Sequence, residues 1–412
     1  MSEYINNNEK RVEDLLALSL GMMSGENGRM LLEKYKEAID NATPHDMLIL
    51  EDKQMQMGIK PDAIKKDVEK VINLFFNSLR KYSWEKPTED TFLYHLMLEN
   101  KAYTFKLNQV KKIIKSYKGR EETDIRQLKN DLLSQFEEFQ EFESHYVKKE
   151  NILFPFLEKI WRYYRPLTVM WSLHDDIRKK LKKIIQILKS DTSKWSDLNK
   201  EIGAYYFLVF GMIQKEDLII YPVASETVAD EEWIDMYHQS FEYPFPFIEQ
   251  PIKPKNIPEP ANKKETENFQ IDGEVKLKSE TGELNFEQIL LLLNNLPVDI
   301  TFVDENDKVK FFSRPKDRFF PRSPAIIGRA VQNCHPPESV HIIERIVSAF
   351  KNGEKDKADF WLELKGKFIL IQYFALRNEK NEYKGVLEVS QDATNTRALK
   401  GEQRLLDWLD SC

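Results

Sequence analysis

The chain has 412 residues, a formal net charge of −7, 41% apolar residues and 31% charged residues. That length is enough for two or three domains with cores of their own. The acidic balance and the lack of a basic run argue against a dedicated nucleic-acid binder. No stretch reaches the roughly 20 apolar residues of a membrane span. The opening MSEYINNNEKRVEDLL carries no apolar leader. Cys334 and Cys412 do not make a disulfide framework. The expected setting is the reduced cytoplasm.

Residues 1–85 read as short helices with loop punctuation. Thr43 is a natural N-cap in front of Pro44. Gly58-Ile59-Lys60-Pro61 breaks the chain. The following DAIKKDVEKVINLFFNSLRKY is amphipathic, with Ile64, Val68, Val71, Leu74, Phe75 and Leu79 near one stripe. The block holds no catalytic constellation, and His45 reads as a surface residue.

Residues 86–245 carry long helical patterns over 88–117, 122–160, 166–189 and 195–221, with a shorter one over 226–240. Four long amphipathic segments with short connections predict an up-and-down bundle, whose sites form from inward side chains. One phrase occurs twice, as HYVKKENILFP from His145 and as QKEDLIIYP from Gln214. Each reads Lys-Glu, apolar run, aromatic-Pro, near a helix end. At 3.6 residues per turn His145, Lys149, Ile152 and Phe156 share a face that Phe142 extends, and Glu150 lies about 100° round. His174 lies on a stripe with Met170, Trp171, Leu181 and Leu188. Glu216 shares one with Tyr205, Val209, Met212 and Ile219. His95 and Glu99 stand four residues apart. Polar groups on apolar stripes need partners or a metal.

Residues 246–282 are rich in Pro, Lys and Glu and read as a linker. Over 283–400 the period changes. A helix, NFEQILLLLNN, precedes a strand–turn–strand, DITFVDENDKVKFFS, with its turn at Glu305-Asn306-Asp307. Two helices, IIGRAVQNC and PESVHIIERIVSAFKNG, then precede three strands, ADFWLEL, KFILIQYFAL and YKGVLEVSQDAT. This order predicts an antiparallel sheet with helices on one face. Residues 401–412 read as a short amphipathic helical tail. The fold class is therefore multidomain, α followed by α+β.

The helical block resembles the hemerythrin-like HHE family, through His95, HYVKKENILFP, VMWSLHDDIR and KEDLIIYP. The last block resembles a PAS domain, through DITFVDENDKVKFFS, IIGRAVQNCHPPESV and GVLEVSQDAT. The first block looks like the helical domain of unknown function that commonly precedes this pair, through EDKQMQMGIKPDAIKK. The hemerythrin resemblance implies non-haem iron, one ion or two, held by imidazoles and carboxylates. The inventory for metal is His95, Glu99, His145, Glu150, His174, Asp175 and Glu216. The sequence departs from the family in two places. Lys149 stands where the second helix should supply a carboxylate, and Met212 stands where the fourth should supply a histidine. Glu216 is left as either a ligand or a buried partner of Lys149. His145 and His174 are ligands or hydrogen-bonded core histidines, and either Tyr94 or His95 faces inward. Glu99, Glu150 and Asp175 can also be solvated or capping groups.

In the PAS-like block, Cys334 and His335 invite a haem or thiol-switch reading, with His341 as a second haem-facing candidate. The competing reading is that the His-Pro pair shapes its loop. The function expected is a sensor that couples an iron-binding bundle, responding to oxygen, nitric oxide or redox state, to a PAS domain. The PAS domain would bind a small ligand, an output protein or a second copy of the chain. The alternatives are an iron-handling or oxidative-stress repair protein, and a metal-free adaptor with a degenerate site.

Overall fold

The computed structural model describes residues 2–89, 91–117, 122–190, 194–253, 276–279, 281–316 and 318–402. They fall into two compact units, one holding the described residues up to 253 and one built from most of the remainder.

The first unit opens with α1 (Ser2–Met23), α2 (Gly28–Lys34), α3 (Lys36–Asp40), α4 (Pro44–Gln56) and α5 (Pro61–Lys81). Two of these are longer than the short helices expected, at 22 residues for α1 and 21 for α5. Thr43 caps α4 in a capping box with Asp46. Asp46 also takes a two-point bond from Arg11 of α1, at 2.7 and 3.0 Å. The expected boundary at residue 85 falls inside this first unit. The helices before it are tied to those after it by Lys65–Asp176 at 2.6 Å and Arg165–Asp52 at 3.0 Å.

The bundle follows the predicted spans. Its helices are α6 (Phe92–Ser116), α7 (Glu122–Glu138), α8 (Glu143–Lys148), α9 (Phe154–Ile160), α10 (Pro166–Lys189), α11 (Trp195–Lys215), α12 (Tyr221–Thr227) and α13 (Asp230–Ser240). A 3₁₀ turn at Phe139–Phe142 joins α7 to α8. Its apolar interior includes Phe92, Leu96, Leu107, Phe136, Met170, Ile184 and Val209.

Both repeated phrases form π-helical turns, at Lys149–Leu153 and Glu216–Ile220. The amide of Phe154 donates to the carbonyl of Lys149, and that of Tyr221 to Glu216, each five residues back. Pro155 and Pro222 come next, lacking an N–H and crowding the preceding turn, so the α ladder cannot run through them unchanged. A widened turn is the local answer, and such turns recur at functional positions.

In the second unit β1 (Lys276–Ser279) and β2 (Gly282–Asn285) pair antiparallel, and α14 (Phe286–Asn295) follows. The end of the expected linker is therefore a hairpin, while residues 254–275 of it lie outside the described residues. The main sheet contains β3 (Asp299–Asp304), β4 (Val309–Phe312), β5 (Lys357–Leu364), β6 (Lys367–Arg377) and β7 (Tyr383–Asp392). Its strand order is β4-β3-β7-β6-β5, all antiparallel. Gly385 is required in β7, because its φ is +138° and a Cβ would fall 2.1 Å from the Val303 carbonyl oxygen.

Of the two helices expected after the first hairpin, only the second forms, as α15 (Pro337–Lys351). The IIGRAVQNC segment holds 3₁₀ turns at Pro324–Ile326 and Val331–Cys334 instead. Its backbone is bonded to β4: Gly328 N–H donates to the Val309 carbonyl, and Val309 N–H to that of Arg329. Those bonds, and the left-handed Gly328, replace a helical ladder. Val303, Val309, Ile326, Val331, Ile343, Val347, Phe350 and Val386 make the core. α16 (Thr394–Ala398) is the last described helix of this unit, and the expected tail helix lies outside the described residues from 403 on.

Candidate functional site

The polar centre of the bundle is assembled from α6, α8 with its π-helical turn, α10, and the turn after α11. Glu99, His145, Lys148, Lys149, His174 and Glu216 are all fully buried, and Glu150 is 5% exposed. The π geometry explains how Lys149 and Glu150, neighbours in sequence, both reach the interior.

Every carboxylate there meets a cation of this chain. Lys149 Nζ donates to Glu216 Oε1, and Lys148 Nζ to Glu99 Oε1. Arg178 Nη2 donates to Glu150 Oε2 at 3.0 Å. The remaining oxygens are also occupied. Glu216 Oε2 accepts from Asn100 Nδ2 at 2.8 Å and from Tyr221 Oη at 3.0 Å. Glu99 Oε2 lies 2.6 Å from His145 Nδ1, and Glu150 Oε1 lies 2.8 Å from His174 Nδ1. Among the described residues, the far nitrogens of both imidazoles are not within hydrogen-bond distance of a partner. His145 Nε2 stands 3.6 Å from Glu216 Oε2, and His174 Nε2 stands 3.9 Å from Glu216 Oε1.

The electrostatics follow this wiring. Burial pushes the Glu216 carboxyl up, but Lys149 and the two imidazoles outweigh it and hold Glu216 well below the usual range. Burial likewise opposes ionised Glu150, and His174 with Arg178 brings it below its ordinary value. Burial lowers Lys149 and Lys148 despite their carboxylate partners. Burial and the charge of Glu216 push Asp217 up to about 7.

Counted back from Pro155 and Pro222, the two phrases are in register. Lys149 and Glu216 both stand six residues before their proline, and they pair with each other. Lys148 and Lys215 both stand seven before, and both are buried on carboxylates, Glu99 and Glu51. Glu150 and Asp217 correspond, as do His145 and Met212. The centre thus places opposite charges at two equivalent positions.

His145, His174, Glu99, Glu150 and Glu216 are brought together. Glu99 and Glu150 are interior groups, not the solvated or capping ones left open by the sequence. Asp175 lies at the edge of this network, 3.1 Å from Arg178. His95 points inward, but its Nε2 lies 3.0 Å from Tyr237 Oη, and its ring packs against Phe245. Sequence reasoning missed Lys148, Arg178, Asn100, Tyr221 and the Lys215–Glu51 pair. The Lys-Glu doublet before each proline was the available signal for the lysines.

An iron centre does not fit this arrangement. Among the described residues, no group of three or more His, Cys, Asp or Glu side chains is placed to hold a metal ion. The carboxylates that a dinuclear site would use are already neutralised, and the ammonium of Lys149 occupies the one acid that both free imidazole nitrogens face. A cation there would have to displace Lys149 from Glu216 against charge repulsion.

In the second unit, Cys334 Sγ donates to the Ala330 carbonyl at 3.6 Å. Burial and nearby Arg322 lower the His335 imidazole to about 4. His341 is exposed on α15. None of these three lines the groove of about 720 Å³ between α10 and α11 or the cleft of about 340 Å³ at Gly366 and Thr394.

Comparison with known proteins follows the same division. The model of the Hemerythrin HHE cation binding domain matches residues 91–224, and that of a PAS domain matches residues 289–394. No curated protein matches. Several solved structures match parts of the chain. The C-terminal domain of a Streptococcus mutans protein is 32% identical over 31% of this chain and 98% of its own, with a TM-score of 0.30. The PAS domain of a Colwellia psychrerythraea protein is 18% identical over 26% of this chain and 97% of its own, with a TM-score of 0.22. A sensory box sensor histidine kinase structure from Vibrio cholerae is 16% identical over 26% of this chain and 92% of its own, with a TM-score of 0.21. The chain carries a hemerythrin HHE cation binding domain over residues 91–224 and a C-terminal PAS domain over residues 289–394.

Proposed function

We propose that this chain is a cytoplasmic signalling protein in which a metal-independent hemerythrin-type bundle serves as an adaptor for a PAS domain. The observation that carries this reading is the buried Lys149–Glu216 pair at equivalent positions of the two phrases. Three carboxylates, Glu99, Glu150 and Glu216, meet three cations, Lys148, Lys149 and Arg178. The charge that iron supplies in the family is here supplied by the chain. An iron-based oxygen or nitric oxide sensor, or an iron-handling repair protein, would need those carboxylates free.

The PAS domain is the input or partner module on this reading, with a small ligand, an output protein or a second copy as its occupant. α14 suits a second copy, because Phe286, Leu291 and Leu292 on it are each more than half exposed.

The test is an anaerobic ferrous-iron titration of the full chain and of Lys149→Glu. The substitution removes a cation and adds a carboxylate four residues after His145, leaving two uncompensated charges for a divalent ion. The parent should bind no stoichiometric iron, and the variant should gain binding. Stoichiometric iron on the parent would overturn the proposal.

A further inference from the structure

Directly after α13, residues 241–250 form turns and irregular chain whose aromatics pack on the bundle. Phe245 and Phe247 cover its polar centre from this side. The Phe245 ring lies 4.0 Å from Lys148 Nζ and 5.6 Å from the His95 ring, and Phe245 is buried. Phe247 stacks on Phe142 at 5.9 Å and on Tyr103 at 5.6 Å, with Lys106 Nζ 4.7 Å over its ring. Phe142 in turn stacks on His145 at 4.5 Å. The two aromatic contacts therefore lead straight to the Glu99–Lys148 and Glu99–His145 bonds.

Phe247 has a φ of 63°. A bulky residue in the left-handed region is strained, and such strain persists only where surrounding contacts hold it. Tyr243 and Pro246, also buried, anchor the same short segment.

We infer that residues 241–250 form a releasable strap that seals the Glu99–Lys148 pair against water. Opening lifts Phe247 first, because its backbone relaxes as its ring leaves. Phe245 follows, and water reaches Lys148. A buried pair is sensitive to that event, since water weakens the attraction that compensates its desolvation. Lys215 provides an internal control. It is equally buried, but its ammonium is bonded to Glu51 of α4, at 2.6 and 2.7 Å, on an element the strap does not follow.

The experiment is amine acetylation of the native full chain, read by mass spectrometry at Lys148 and Lys215. Phe247→Ala and Phe245→Leu should each raise the Lys148 rate relative to Lys215 by at least about tenfold, as expected when a local opening becomes easier. Protection of Lys215 in the same sample reports that the bundle remains folded. Equal rises at both lysines, or no rise at Lys148, would overturn the seal. Iron binding by the parent would overturn the adaptor reading alone, because the strap rests on aromatic packing.

Discussion

The two Lys-Glu phrases of the bundle share a turn type, a helix ending and a proline, yet they carry opposite charges at one position. Lys149 stands in the first and Glu216 in the second, each at the first residue of its π-helical turn. The first phrase retains a histidine four residues earlier, and the second has Met212 there. Two like carboxylates at these positions would repel each other and require a cation between them. One lysine and one glutamate satisfy each other instead. The opposite signs of these two side chains thus compensate each other's burial.

Breaking the pair on one side should have the largest effect. Lys149→Met leaves Glu216 charged and buried, and should cost about 3–5 kcal/mol in chemical denaturation. Lys149→Met with Glu216→Met should recover most of that loss, since apolar replacement of a whole buried pair is often neutral or stabilising. A double variant as unstable as the single would show that the pair does more than compensate its own burial.

The second phrase offers a milder version. Lys215→Met strands Glu51, whose side chain is 10% exposed, against 1% for Glu216. Residual contact with water should hold the loss to about 2–3 kcal/mol. A loss equal to that of Lys149→Met would remove the distinction between the two sites.

Acid should separate the two units by smaller increments. The His335 pKa is lowered to about 4, so the unfolded chain takes up this proton first. The PAS unit should therefore lose stability as pH falls from about 6.5 toward 4. Glu150 and Glu216 are depressed, so the stability they give is present above the ordinary carboxylate range and is lost only below it. Asp217 is raised to about 7, so its effect makes the bundle more stable as pH falls through that value. Denaturation from pH 7 to pH 5, followed by fluorescence and far-UV dichroism, should weaken the PAS transition first. His335→Gln should flatten its slope, and Asp217→Asn should flatten the opposite slope of the bundle.

Much of the architecture could be read in advance because it rests on periodicity. The spans of α6, α10 and α11 follow their apolar stripes, and β3 to β7 follow alternation and turn residues. The site was harder to read, for a specific reason. A 3.6-residue period places Glu150 to the side of Lys149, whereas the π-helical turn brings both inward. The His145–Lys149 face and the choice between ligand and ion pair for Glu216 could be posed from spacing. The contacts of Glu99 with Lys148 and of Glu150 with Arg178 depend on packing between helices, which spacing does not encode. The IIGRAVQNC segment misled because its apolar residues mimic a helix, while its amides are bonded to β4.

The central claim is that the bundle supplies its own cations. The most direct measurement is metal content of the purified full chain, combined with its thermal unfolding in chelator and in added ferrous iron under anaerobic conditions. The account predicts substoichiometric metal and the same bundle unfolding temperature in all three states. Stoichiometric iron, with an unfolding temperature that falls in chelator and is restored by iron, would contradict it.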